Sequence, residues 1–299
     1  VPAGDLEDWQ TPPFEATLKD GWLIGRGVQD DKGPSLAALY AVKSLLDQGV
    51  VFTKRIRFIF GTDEETLWRC MNRYNQIEEK ADLGFAPDSS FPLTYAEKGL
   101  LQVKLHGPGW EDHPLQAGLA LNVVPDKATY KGQRLEELLP VIEQSGVKYT
   151  EEAGAVTVLG LSKHSKDAAE GVNAIVGLAE SLSLIQPHPA LLFIADAVGE
   201  DATGAALFGE INDEPSGALS FNIATLSIDE QQSEIGIDIR IPVLADKEAL
   251  VKRLSEVAAS YQLQYEEFDY VAPLYVPLDS PLVSTLMAVY QEETGDQTP

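Results

Sequence analysis

Three acidic clusters stand out by residue type and spacing: Asp30-Asp31 after GRGVQ, Asp63-Glu64-Glu65 after RFIFGT, and Asp88 after GFAP. Carboxylates packed into one small volume repel each other and raise each other's pKa values, and divalent cations turn that repulsion into binding. Oxygen-rich ligation, with one carboxylate shared between two ions, is the donor pattern of two-metal hydrolysis. Taken singly, each acidic pair reads as well as a helix N-cap or a solvated loop. The recurrence favours a site, because each cluster follows a strand-like run.

Those runs give the first hundred residues an alternating grammar. GWLIGRG (21–27) reads as a strand running into glycines, and GPSLAALYAVKSLLDQG (33–49) as a helix stopped by Gly49. RIRFIFG (55–61) is β-branched and aromatic, 66–80 is helical, and 82–86 is a short strand ending at Pro87. Strand–helix alternation predicts a parallel sheet flanked by helices, with sites at the carboxyl ends of the strands. From Gly99 onward the texture is α+β. LLQVKLHG, LALNVVPD, KATYKG, AVTVLGLSKHS (155–165), Ser220–Leu226 and LQYEEFDYVAP read as strands, with helices at 168–182 and 246–260. EIGIDIRI (234–241) alternates with period two, which predicts a half-exposed strand. The expected fold is therefore α/β: a mixed or parallel catalytic domain over 1–98, an inserted α+β lid over 99–275, and a return to the first domain over 276–299.

Composition narrows the partners. With 22 Lys+Arg against 47 Asp+Glu, the net charge of −25 disfavours nucleic acid and anionic membrane surfaces. A single cysteine, Cys70, argues against a disulfide framework and for a reducing, cytoplasmic setting. No apolar run approaches a membrane span.

GRGVQDDKGP (25–34), GTDEET (61–66) and PDSSFP (87–92), in this order, resemble the dinuclear zinc metallopeptidases. That family includes carnosinase, bacterial dipeptidase V, carboxypeptidase G and the acetylornithine and succinyl-diaminopimelate deacylases. GFAPDSSFP and EKG (97–99) resemble the dipeptidase V branch most. The resemblance implies a hydrolase with two divalent ions, zinc before manganese or cobalt. It implies Asp30 as the carboxylate bridging the ions, Glu65 and Asp88 as a ligand to each, and Glu64 as the general base. Asp31 and Asp63 fall outside the ligand positions and take supporting roles, and Lys32 pairs with the acidic ground. In the second region it implies His164, in SKHSKD, as the group that polarises the scissile carbonyl. Arg240, in IDIRIP, becomes a clamp on the substrate carboxylate, and Asn122, in LNVVPD, a further substrate contact. Read without the resemblance, His164 is an isolated histidine and Arg240 an exposed strand residue. His106, His113 and His188 receive no role.

The family's two metal-binding histidines have no counterpart inside this chain. The resemblance places one just ahead of Val1 and one beyond Pro299, so the chain reads as a fragment with a weakened metal site. The leading expectation is a monomeric dipeptidase acting on short peptides. Two alternatives stand beside it: an N-acyl amino-acid deacylase or carboxypeptidase with the same centre, and a non-catalytic peptide- or metal-binding module.

Overall fold

In the computed structural model, residues 6–64 and 68–297 are described. The chain divides into two compact units, residues 1–94 with 278–299, and residues 95–277.

The first unit opens with a hairpin of β1 (Thr17–Lys19) and β2 (Trp22–Ile24), paired antiparallel. Asp20 and Gly21 form its turn with φ of 52° and 82°, the double left-handed geometry that favours an Asp-Gly pair. Helix α1 (Gly33–Asp47) carries Pro34 in its first turn, where the missing N–H costs no bond, and gives way to Gly49 at φ 81°. Helix α2 (Arg69–Ile77) and a closing helix, Pro281–Thr294, complete the regular structure.

The strands expected at 55–61 and 82–86 form no ladder, and β2 pairs antiparallel within its own hairpin. The physical reason is visible in the side chains. Ile59 (42 % exposed), Phe60 (66 %) and Phe85 (64 %) lack a covering layer among the described residues. Parallel strands are stable when both faces are buried, and these are not.

The second unit holds most of the buried core. Its elements run β3 (Ala96–Glu97), β4 (Gly99–Pro108), β5 (Leu115–Ala117), β6 (Lys127–Tyr130), α3 (Leu135–Ser145), β7 (Tyr149–Glu152), β8 (Ala155–Leu159), α4 (Ala174–Ser183), α5 (Pro189–Leu192), α6 (Ala205–Phe208), β9 (Asn212–Asp213), β10 (Gly217–Ala218), β11 (Ser220–Ile228), β12 (Gln232–Ile241), α7 (Lys247–Ser260), β13 (Gln264–Val271) and β14 (Leu274–Tyr275). Five strands form an antiparallel sheet in the order β13-β4-β12-β11-β5, and β6-β8-β7 form a second, three-stranded one. The predicted LALNVVPD strand is irregular chain with a single bridge, Val123 to His164. The strand expected over 155–165 ends at Leu159, and α4 starts six residues after the predicted 168, behind a 3-10 turn at Ser165–Glu170.

β12 corrects the half-exposed expectation. Ile235, Ile237, Ile239 and Ile241 face the core, yet Asp238 on the other face is fully buried. Period-two alternation marks two chemically different faces; here the polar one is covered by more protein.

A separate buried network ties the unit together away from that face. Tyr130 donates to Asp112, whose other oxygen accepts the backbone N–H groups of His113 (2.7 Å) and Gln133 (2.9 Å). Burial works to raise the Asp112 pKa, but these hydrogen bonds outweigh it and hold the carboxyl below its usual range. Buried His188 caps α5 through its Nδ1 and shares a 3.1 Å contact between Nε2 and the carbonyl of Pro108. Burial pushes its pKa down.

Candidate active site

The acids of the first unit sit on turns and irregular chain. Gly27, at φ 78°, lets the backbone fold so that the Lys32 N–H reaches the Gly27 carbonyl at 2.9 Å, and Asp30 and Asp31 lie in that tight turn. Asp30 is exposed and Asp31 half-buried. Lys32 Nζ donates to the Arg26 carbonyl at 3.3 Å. Asp63 has an anchoring geometry: its carboxylate accepts Arg69 Nε (2.6 Å), Arg69 Nη2 (2.9 Å) and the Arg69 backbone N–H (3.0 Å). It thereby fastens the chain at Asp63 to the first turn of α2, which is the helix-capping reading made concrete. Its neighbour Glu64 is exposed, as is Asp88, while Glu65 lies outside the described residues.

Hard, exposed carboxylate oxygens fit a divalent cation in donor chemistry. All four histidines of the chain, His106, His113, His164 and His188, belong to the second unit, so the first unit offers carboxylate oxygens and the single thiol of Cys70. Among the described residues, no three His, Cys, Asp or Glu side chains group as a metal cage.

The second unit brings its three predicted residues together. Across the sheet, register places Ser220, Arg240 and Leu100 in one row and Asn222, Asp238 and Gln102 in the next. Paired residues in neighbouring strands share a face, as do positions i and i+2 of one strand, so these rows form a polar patch. The chain around 121–123 and 164–165 is fastened onto that patch. Asn222 Nδ2 donates to the Val123 carbonyl at 2.9 Å, and Ser220 donates to the Ser165 carbonyl. Ser165 returns its N–H to the Asn122 carbonyl at 2.9 Å and its hydroxyl to the Leu121 carbonyl at 3.1 Å. Asn173 donates to Asn222 (3.2 Å) and the Ile223 carbonyl (2.7 Å) while capping α4 with its oxygen. The Val123–His164 bridge then sets Asn122 and His164 on adjoining, exposed segments.

Gly160 is required at the entry to the His164 segment. A Cβ there would lie 2.0 Å from the Val172 carbonyl oxygen, which pairs with the Leu161 N–H at 2.8 Å.

His164 caps its 3-10 turn: Nδ1 accepts the Lys166 N–H at 3.2 Å. An accepting Nδ1 assigns the proton of the neutral ring to Nε2, which is then a donor. Partial desolvation of the ring, followed by the nearby Arg240 guanidinium, pushes the imidazole pKa down; Asp238 opposes the shift. The ring is neutral near pH 7, and a neutral Nε2–H donor suits a developing oxyanion.

Arg240 is held by Asp238 through Nε (2.7 Å) and Nη2 (3.2 Å), and Gln102 Nε2 donates to the same carboxylate at 3.1 Å. Sequence reasoning missed Asp238, Asn222, Ser165, Ser220 and Gln102. The signal available was a polar residue at alternate positions inside otherwise β-branched strands.

The family model for peptidase family M20/M25/M40 matches residues 1–299. The chain belongs to that family. It is a hydrolase of peptide bonds. The M20 chain is 36 % identical over 319 residues to the Bacillus subtilis protein named "Putative dipeptidase YtjP", covering 99 % of this chain and 68 % of that protein. It is 32 % identical over 323 residues to a protein of the same description, SH1171 of Staphylococcus haemolyticus, covering 100 % of this chain and 68 % of the relative. Among solved structures, human carnosine dipeptidase 1 matches with a TM-score of 0.45 at 16 % identity, over 98 % of this chain and 64 % of that one.

Proposed function

We propose that this M20 chain hydrolyses dipeptides, recognising the free carboxylate with Arg240 and the scissile carbonyl with His164. The observation that carries the reading is the polar patch on the larger sheet. It places a guanidinium with an unspent edge near a neutral imidazole whose Nε2–H is a donor. Asn122, on the segment bridged to His164, supplies a third polar contact to a short substrate. Glu64, exposed on the turn that Asp63 anchors, takes the proton from the attacking water and passes it to the leaving amine.

Two divalent ions, zinc before manganese or cobalt, complete the proposal, with Asp30, Glu65 and Asp88 to hold them. When bound, they supply Lewis-acid polarisation and a more acidic water. Asp30 is offered as the shared ligand. The names of the Bacillus subtilis and Staphylococcus haemolyticus relatives support a dipeptide substrate. We further place the protein in the cytoplasm as a monomer; a lone half-buried cysteine supports a reducing setting.

The test is a substrate panel on the metal-replete protein: free dipeptides, the same dipeptides amidated at the C-terminus, and N-acetyl amino acids. Free dipeptides are expected to be cleaved fastest, with Arg240→Met abolishing the preference for a free over an amidated end. Faster turnover of N-acetyl amino acids would replace the dipeptidase reading with a deacylase one.

A further inference from the structure

We propose that Asp238 is a positioning residue for Arg240, locking the guanidinium so that its end-on edge faces a peptide carboxylate. The inference rests on the reading of Arg240 as the carboxylate clamp and says how that clamp is built.

Asp238 and Arg240 stand two residues apart on β12, so both side chains leave the same face of the sheet. Asp238 is 0 % exposed, and a buried carboxylate needs partners on its oxygens. Oδ1 accepts Arg240 Nε at 2.7 Å; Oδ2 accepts Arg240 Nη2 at 3.2 Å and Gln102 Nε2 at 3.1 Å. Gln102 lies directly opposite Asp238 in the β4–β12 register, so the neighbouring strand commits an amide to holding the carboxylate still.

The consequence lies in the donors left over. A guanidinium has five N–H groups in a fixed plane. Asp238 engages the side-on edge, Nε and one Nη2 hydrogen. The end-on edge, Nη1 with the outer Nη2 hydrogen, remains with no protein acceptor among the described residues. That edge is itself a two-pronged fork matched to a second carboxylate. The Arg240 side chain is 19 % exposed, enough for a ligand to reach it while its stem stays packed. An unconstrained arginine loses side-chain freedom on binding, whereas a locked one has lost it already. Positioning should therefore appear in substrate affinity more than in turnover.

The test uses the metal-replete enzyme. Asp238→Asn keeps the shape but weakens the fork, and KM for a free dipeptide is expected to rise about tenfold, with kcat within about twofold. KM for the amidated dipeptide should not move, and Asp238→Asn should add nothing in an Arg240→Met background. If Arg240→Met leaves the free-over-amidated preference intact, the clamp reading fails and takes this inference with it. If Arg240→Met abolishes the preference while Asp238→Asn leaves KM alone, or lowers only thermal stability, the positioning role alone is overturned. A readout independent of variant folding is the Arg240 Nε–H resonance of the wild-type protein. Protection from solvent exchange supports the lock, and exchange as fast as a free guanidinium overturns it.

Discussion

The two units differ in how their apolar residues are used. In the larger unit, Leu101, Val103, Leu105, Ile235, Ile237 and Ile239 line one face of an antiparallel sheet and are fully buried. In the smaller unit, Ile59, Phe60, Leu83 and Phe85 have comparable hydrophobicity and β propensity, yet remain exposed and form no ladder. Intrinsic preference is the same; the difference is the partners. The larger unit's strands pair antiparallel both as the β11–β12 hairpin and between distant segments such as β4 and β13, and an antiparallel sheet can leave one face to solvent, whereas parallel pairing needs cover on both faces. The chemistry divides in the same way. Asp30, Glu64 and Asp88 of the smaller unit are exposed outside any sheet, while Asp238 and its partners in the larger unit are built into a hydrogen-bonded sheet.

That contrast predicts separable effects. The largest belongs to the smaller unit's exposed acid: Glu64→Gln should lower kcat by roughly 10²–10⁴-fold, with the melting temperature unchanged. Loss of stability together with activity would break the division. In the core, Ile237→Ala should cost about 2–5 kcal/mol in denaturant unfolding. Ile59→Ala should cost less than about 1 kcal/mol. Equal costs would show that the smaller unit's apolar residues are buried after all. Tyr130→Phe should destabilise the larger unit by about 1–3 kcal/mol, since Asp112 keeps its burial and loses a donor.

The smallest effect is a pH dependence. Burial depresses the pKa of His188, and desolvation with the Arg240 charge depresses that of His164. The unfolded chain therefore binds more protons than the folded one below the ordinary histidine pKa of about 6.5. Stability contributed by these two residues is complete above that value and declines as pH falls through it. A His188→Gln variant should show a flatter profile between pH 7 and 5 by thermal melting. An unchanged slope would assign the dependence to other groups.

Much of the larger unit was legible in the sequence. Alternation in EIGIDIRI and SFNIATL located β12 and β11, and Asp246 announced the start of α7 by capping it at Ala249. The boundaries of the His164 segment were not legible, because bridges from Leu161 to Val172 and from Val123 to His164 depend on contacts remote in sequence. The acidic clusters were legible as chemistry and not as geometry. Asp63 shows why: the resemblance sets it outside the ligand positions in a supporting role, but its partner, Arg69, appears only in the structure. Sequence spacing carries no sign of that ion pair. Asp238 was hidden for the opposite reason, as one charged residue in a strand whose alternation looked like ordinary solvent exposure.

The internal pairing of Arg240 with Asp238 also bears on how fast a substrate arrives. A guanidinium already balanced by a buried carboxylate projects little field into solution, while the chain as a whole carries −25. An anionic peptide is thus repelled at long range and captured only on contact. Its association rate should rise with added salt, the reverse of the trend for an enzyme that draws acidic ligands in with uncompensated positive charge.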